Sequence, residues 1–368
     1  MIMALHKRGQ VEVTFNWIYI VIAGAVILLF FFGIVMKQKQ VSEEQLSGEV
    51  VQIMSSILTG AGVSEKTKNV IDASGLADYI LYFDCIDGVS EFGIKSQPAR
   101  TQNGIDPIFA PKEVQSSRIV TWSLPYHMPF KVIDFLFIIP SNVKYIITGS
   151  DAKFIDEFLN STEGIDREFT LNPQNANVQG KKQVRIIYTD SLIVPGTGVP
   201  ASLSSFLDVD VSAVSFNGNL INFYQKNGNA WKKLNNNPIR LVSLGGERDA
   251  AKHAAIFSGD DKTYQCNMGK AFKRLDLLLD VYGGPEIGVG SSGGKLAQLI
   301  DHYKEIPTSE CKGHLEDYDI NARDIISTLK NKASACKLQA QSCLEMISAA
   351  QKMKGINEQL QISCKPLY

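Results

Sequence analysis

Apolar and polar positions divide this chain unevenly, and the most uneven part is its start. Residues 15–36 carry no charged side chain and are rich in Ile, Val, Leu and Phe. About 20 such residues span the hydrocarbon core of a bilayer as a helix, which satisfies its own backbone groups there. Trp17 and Tyr19 stand near one end, where interfacial aromatics gather. A buried core helix rarely stays apolar on every side for so long. A cleaved secretory signal shares the basic start, but its apolar region usually runs about 7–15 residues, and no Ala-x-Ala site follows Met36. The pattern predicts a basic leader (1–14) and a transmembrane helix (15–36) whose partner is the lipid bilayer. Lys7 and Arg8 precede the span while Lys37 and Lys39 follow it, with Glu43 and Glu44 behind. Counting the amino terminus, the positive-inside rule favours the body outside the cytoplasm.

The period then changes. Leu46, Val50, Ile53 and Ile57 recur at four, three and four residues, the stripe of an amphipathic helix, and Gly60-Ala61-Gly62 ends it. Residues 37–62 therefore read as a helical stalk, which packs on its own domain or associates with another protein.

Residues 63–260 predict an α/β body. Strand-like pieces at 79–83 and 117–124 flank a loop rich in Gly, Asn and Pro. Residues 132–139 are almost continuously apolar, as in a strand buried on both faces. Residues 143–148 give another strand, followed by Gly149-Ser150 and a helix at 152–159 that Ser150 or Asp151 can cap. Further strands are expected at 183–189 and 239–244, the last running into Gly245-Gly246 and an Ala-rich helix at 248–257. Alternating strands and helices point to a mixed, partly parallel sheet. Within it, Asn217-Gly218 and Asn227-Gly228 separate strands at 211–216, 220–224 and 230–234. Asn-Gly suits a hairpin turn whose two central residues need positive φ, so a β meander is predicted.

Residues 261–368 read as helical. Phe272, Leu275, Leu278, Leu279 and Tyr282 form one stripe, stopped by Gly283-Gly284-Pro285. After a glycine-rich loop, a helix at 296–303 turns back. Ala322, Ile326, Leu329, Ala333, Cys336, Ala340, Cys343 and Ile347 then alternate at four and three residues, one continuous heptad seam. A short helix near 356–362 follows.

Cysteine usage sharpens this picture. All six cysteines (Cys85, Cys266, Cys311, Cys336, Cys343, Cys364) lie beyond the anchor, and none forms a Cys-x-x-Cys pair. An even count permits three structural bridges, with 15 connectivities, and agrees with an oxidising compartment. Cys266 before one helix and Cys311 after its antiparallel neighbour predict a Cys266–Cys311 bridge, a closure worth about 4 kcal/mol. On an unbroken helix Cys336 and Cys343 stand about 10 Å apart, too far to bond. One of them is expected to reach Cys364, the other to pair with Cys85 or stay free.

Composition narrows function mainly by exclusion. Net charge is −1 over 368 residues, so no basic field speaks for nucleic acid. With 45% hydrophobic and 20% charged residues the body has the makings of a folded core. The run Gly288 to Lys295 resembles a phosphate loop but fails its spacing: Val289 stands where the first Gly belongs, and Leu296 where Ser or Thr would hold magnesium. Gly149-Ser150 and Gly245-Gly246, at strand-to-helix turns, are candidates for an anion or ligand face, because helix N-termini attract negative charge. Asp190, ending a strand, and the pair Asp208 and Asp210 are candidate cation ligands or bases. Cys311 and His314 near Glu316, Asp317 and Asp319 lack a second ligand pair at metal spacing. No nucleophile motif accompanies His127, His253 or His302, and no catalytic residue, metal or cofactor is assigned. Asn160-Ser161-Thr162 is a glycosylation sequon.

Lys7-Arg8-Gly9-Gln10, a short polar stretch with Glu12, and the apolar helix together resemble the archaeal type IV pilin-like (class III) signal. The resemblance implies cleavage between Gly9 and Gln10 and a helix retained as anchor and assembly element. Glu12 would be the third mature residue, where this family carries its Glu at the fifth. The segment 254–268 also resembles uncharacterised archaeal membrane-anchored proteins. The expected function is a membrane-anchored, extracytoplasmic structural or interaction protein, pilin-like or part of a surface assembly, associating through anchor and stalk. The alternative is an extracytoplasmic enzyme or ligand-binding receptor using the face of Gly149, Asp190 and Gly245.

Overall fold

The computed structural model describes residues 21–38, 48–49, 51–52, 54–56, 60, 68–189, 198–246, 248–284, 294–304, 310–338 and 341–368. Gly9 and Gln10, most of the stalk, Asp190 and the loop 285–293 lie outside the described residues. Helix α1 (Val21–Gln38) has no buried residue and is long and apolar enough to cross a membrane, which an N-terminal signal sequence also is. The described parts of the stalk are helical, with the Ser56 hydroxyl donating to Gln52 O one turn back at 3.0 Å. Met54 is buried in a core cluster of the body.

Past the stalk, β1 (Lys68–Asp72), β2 (Leu81–Ile86), β3 (Val89–Ile94) and β4 (Arg100–Asn103) lead through the two-residue β5 (Ile108–Phe109) and β6 (Glu113–Val114) to the long hairpin β7 (Arg118–His127) and β8 (Lys131–Pro140). They build two four-stranded sheets, β1-β7-β8-β5 and a collar in the order β4-β3-β2-β6. The β8 strand is buried on both sides over its second half, as its almost continuous apolar run predicts. Phe135, Phe137 and Ile139 enter the main core, while Leu136 and Ile138 enter the collar's core, following the two-residue period of a strand. It pairs antiparallel with β7 and parallel with β5, outside the sheet that alternates with helices.

That sheet comprises β9 (Val143–Gly149), β10 (Arg167–Phe169), β11 (Gln183–Thr189), β12 (Val211–Asn217), β13 (Leu220–Asn227), β14 (Ala230–Lys233) and β15 (Ile239–Arg240). Its order is β10-β9-β11-β12-β13-β14, with β15 beside β13. Strands β10, β9, β11 and β12 are parallel; β12, β13 and β14 form the predicted antiparallel meander. Gly218 and Gly228 take positive φ, 54° and 60°, at its two turns. The expected strand at 239–244 shrinks to two residues, because Leu241 N turns to Asn219 O and the chain then leaves the ladder.

Helices α2 (Ala152–Ser161), α3 (Ala250–Phe257), α4 (Asp261–Gly283), α5 (Gly294–Lys304), the short α6 (Glu310–Lys312), α7 (Ala322–Ala335) and α8 (Gln341–Ser363) complete the body. The main core runs from Phe109 to Leu367, so helices of the C-terminal third share one apolar interior with both the β7–β8 hairpin and the mixed sheet. The sheet's other face, with Ile146, Ile186, Ala213 and Trp231, is covered by Ala176, Leu203 and their neighbours.

The cysteines pair differently from the expectation. Bridges join Cys85 to Cys266, Cys311 to Cys364 and Cys336 to Cys343. Cys266–Cys311 does not form because α4 starts at Asp261, capped by the Asp260 carboxylate on Thr263 N at 2.8 Å. Cys266 thus sits inside the helix, beside the collar strand that holds Cys85. Cys336 and Cys343 bond because the heptad helix is not continuous. It stops at Ala335, Leu338 takes φ of 59°, and α8 restarts at Gln341, leaving the two Cα atoms 4.8 Å apart. Lys332 and Glu345 pair across the resulting hairpin. The short helix expected near 356–362 is the end of the 23-residue α8.

Candidate functional site

The predicted ligand face lies at the carboxyl ends of β9 and β11, the usual place for ligands in an open α/β sheet. The fold brings the starts of α2 and α3, which follow these two glycine turns, together: Lys252 Nζ, in the first turn of α3, lies 3.6 Å from the Asp151 carboxylate. The chemistry of the two helix starts is already used up. Asp151 Oδ1 accepts from Phe154 N at 3.0 Å. Asp249 Oδ1 accepts from Ala251 N and Lys252 N at 3.0 and 3.3 Å, and Asp249 Oδ2 accepts from the Ser243 hydroxyl at 2.8 Å. Glu157 accepts from Asp249 N at 3.2 Å. Burial pushes the carboxyl groups of Asp249 and Glu157 above their usual range. An incoming anion would meet carboxylates where it needs free N–H groups. Gly149 itself is there for backbone packing, since a Cβ on it would lie 2.0 Å from Thr189 O.

The acidic pair also resolves into structure. Asp208 accepts from the buried ammonium of Lys226 at 2.8 Å and from Gly228 N at 3.0 Å, which ties the loop before β12 to the second meander turn. The Lys226 hydrogen bond is the main cause that holds its carboxyl below the usual range. Cys311 is bridged, and Glu316 pairs with Arg323 at 2.8 Å. Among the described residues no group of three His, Cys, Asp or Glu side chains could hold a metal ion.

Two buried cations, Lys270 and Arg185, escaped the sequence reading, and His253, named there only as one of several scattered histidines, is buried too. Lys270 donates to Ser90 Oγ, Asn103 O and Asp106 O at 2.7, 2.8 and 2.9 Å, and burial draws its pKa down to about 8. With Cys266 and Asn267 it makes one polar stripe by which α4 grips the collar. Arg185 is a lone cation inside an apolar strand, and that isolation between Val184 and Ile186 was the only signal. His253 is fully buried among Trp122, Phe137, Phe154, Phe158 and Phe257.

The His253 ring contacts Asp249 O through Nδ1 at 2.9 Å and Ser161 Oγ through Nε2 at 3.2 Å. Ser161 and His253 pose as a nucleophile and its base, yet both are buried and no substrate reaches them. Burial lowers the imidazole to about 4. An unfolded histidine titrates near 6.5, so the unfolded chain binds the extra proton first as pH falls. The stabilisation from keeping this ring neutral is complete above 6.5 and is lost through the window down to about 4, amounting to about 3 kcal/mol. Denaturant unfolding at pH 7 and pH 4 checks this: wild type should lose about 3 kcal/mol more between the two than His253→Leu. An equal loss in both would place the acid sensitivity elsewhere.

No protein-family profile, curated protein or solved structure matches this chain.

Proposed function

We propose that this protein is anchored in a membrane by its N-terminal helix and displays a rigid extracytoplasmic body with a structural or interaction role. The observation that carries the reading is a fully exposed apolar helix in the same chain as three disulfides. A soluble protein does not leave such a surface to water, and disulfides persist in oxidising compartments outside the cytosol. Met54 packs on the collar, so the end of the stalk is joined to the body rather than swinging free, and assembly through anchor and stalk would hold bodies in a fixed relation. The class III signal at Lys7-Arg8-Gly9-Gln10 adds a pilin-like route, with cleavage after Gly9 and retention of the helix.

Cell fractionation tests the anchor and its sidedness together. The full chain should pellet with membranes, resist alkaline carbonate and dissolve only in detergent. A thiol-reactive polyethylene glycol should leave all six cysteines unlabelled until a reductant is added. A chain in the carbonate-soluble fraction, or one whose thiols react without reductant, would overturn the reading. Intact mass then decides processing, with loss of residues 1–9 expected for a pilin-like signal.

A further inference from the structure

At the amino ends of the parallel strands, opposite the face of Gly149, a cleft of about 420 Å³ opens between β9, β11 and β12, the collar, and the turn joining α3 to α4. Val143, Tyr145, Val184, Leu234 and Phe257 give it largely apolar walls. Arg185 also lines it and is only 6% exposed. Its Nη1 donates to Ser212 Oγ at 2.9 Å and its Nη2 to Ala255 O at 3.0 Å, while Nε has no partner. Its Cζ lies 5.8 Å from the Phe223 ring centroid.

A guanidinium carries five N–H donors and a permanent charge. Two hydrogen bonds to neutral oxygens leave donors and charge uncompensated, and an unpaired buried charge is costly. Burial pulls this arginine down to about 10, against smaller coulombic support from Tyr145 and Asp260. No neighbouring acid makes a direct ion pair with it. The Asp260 carboxylate is engaged by Lys112 Nζ at 2.7 Å and by Thr263 N at 2.8 Å. Glu113 is engaged by Lys95 at 2.6 Å. Asp210 also borders the cleft and is only half-buried. The contact with Ala255 O does serve the last turn of α3, where a cation is favourable, but it uses a single N–H.

We infer that this cleft binds a small organic carboxylate with an apolar or aromatic body, its two oxygens meeting the Arg185 fork and its body lying against Tyr145 and Phe257. A carboxylate matches the planar fork of arginine. A phosphate dianion, with more acceptor oxygens and a second charge, would need more free donors than Arg185 offers. The volume falls in the range of small-molecule pockets, about 300–1,000 Å³. This site is independent of the anchoring reading and stands or falls separately.

The test uses the full chain in lipid nanodiscs and two probes, 3-phenylpropionate and its neutral amide, titrated by saturation-transfer NMR at pH 7. Saturable binding of the acid is expected, with the amide at least about tenfold weaker because it forfeits the charged hydrogen bonds. Arg185→Met should weaken the acid by a similar factor while unfolding as cooperatively as wild type, since a well-packed apolar side chain often replaces a buried ion without loss. Acid and amide binding equally, acid affinity unchanged in Arg185→Met, or no saturable binding up to millimolar probe would each overturn the inference. Should Arg185→Met fail to fold, the acid-to-amide ratio on wild type still decides it.

Discussion

Replacing Cys85 and Cys266 together by alanine should lower the unfolding free energy by about 5 kcal/mol, more than removing either other bridge. The reason is loop closure. This bridge spans 181 residues, against 53 for Cys311–Cys364 and 7 for Cys336–Cys343. A cross-link removes more disorder from the unfolded chain as the loop lengthens, giving about 5, 4 and 2 kcal/mol in that order. Whole-protein stabilities of about 5–15 kcal/mol leave little margin for the first loss. The native contacts around the bridge do not offset it. Ser90, Asn267 and Lys270 hold the collar to α4, but only while the two elements are already adjacent. Equilibrium denaturation followed by tryptophan emission from Trp122 and Trp231, both buried, reads the three double variants side by side. If Cys336→Ala/Cys343→Ala lost the most, closure of long loops would not be what these bridges contribute.

The same bridges show which parts of the fold were legible in the sequence. The meander was, because its two Asn-Gly turns state a backbone requirement locally. So was the doubly buried β8, whose apolar run has no polar face to hide. The start of α4 was not. Its first turns spend Asn267 and Lys270 on the collar, and Tyr264, Met268 and Ala271, which begin the stripe, stand among polar and small residues, so Cys266 looks as if it precedes the helix. The break after α7 was hidden for the opposite reason. No Gly or Pro marks residues 336–340, and the four-three spacing runs straight through a reversal that Leu338 makes with a left-handed backbone. Periodicity reports which residues face a core, not whether the helix carrying them is unbroken. Arg185 follows a similar rule: its strand was plain, but what surrounds a buried cation depends on β12, α3 and α4, all distant in sequence.

Gly149→Ala should cost about 4 kcal/mol, whereas Gly245→Ala should cost only about 1–2. In sequence the two glycines look alike, each closing a strand ahead of a helix. In the fold both take positive φ, 130° and 72°, so alanine is strained at either, by about 1–3 kcal/mol. Only Gly149 adds a collision. It stands opposite Thr189 in the parallel pair of β9 and β11, and a Cβ there would lie 2.0 Å from Thr189 O and 2.3 Å from Thr189 Oγ1. The obstruction is backbone at the end of an interior strand, which cannot swing aside as a lysine tip could, so overpacking adds about 1–3 kcal/mol more. At Gly245 nothing lies within 4 Å of the added methyl. Paired denaturant melts separate the cases, and equal losses would mean that the contact with Thr189 relaxes at little cost. A large gap would explain Gly149 wholly by the closeness of two strands, leaving no role at that turn for a bound anion and strengthening the case that any ligand enters from the other end of the sheet, beside Arg185.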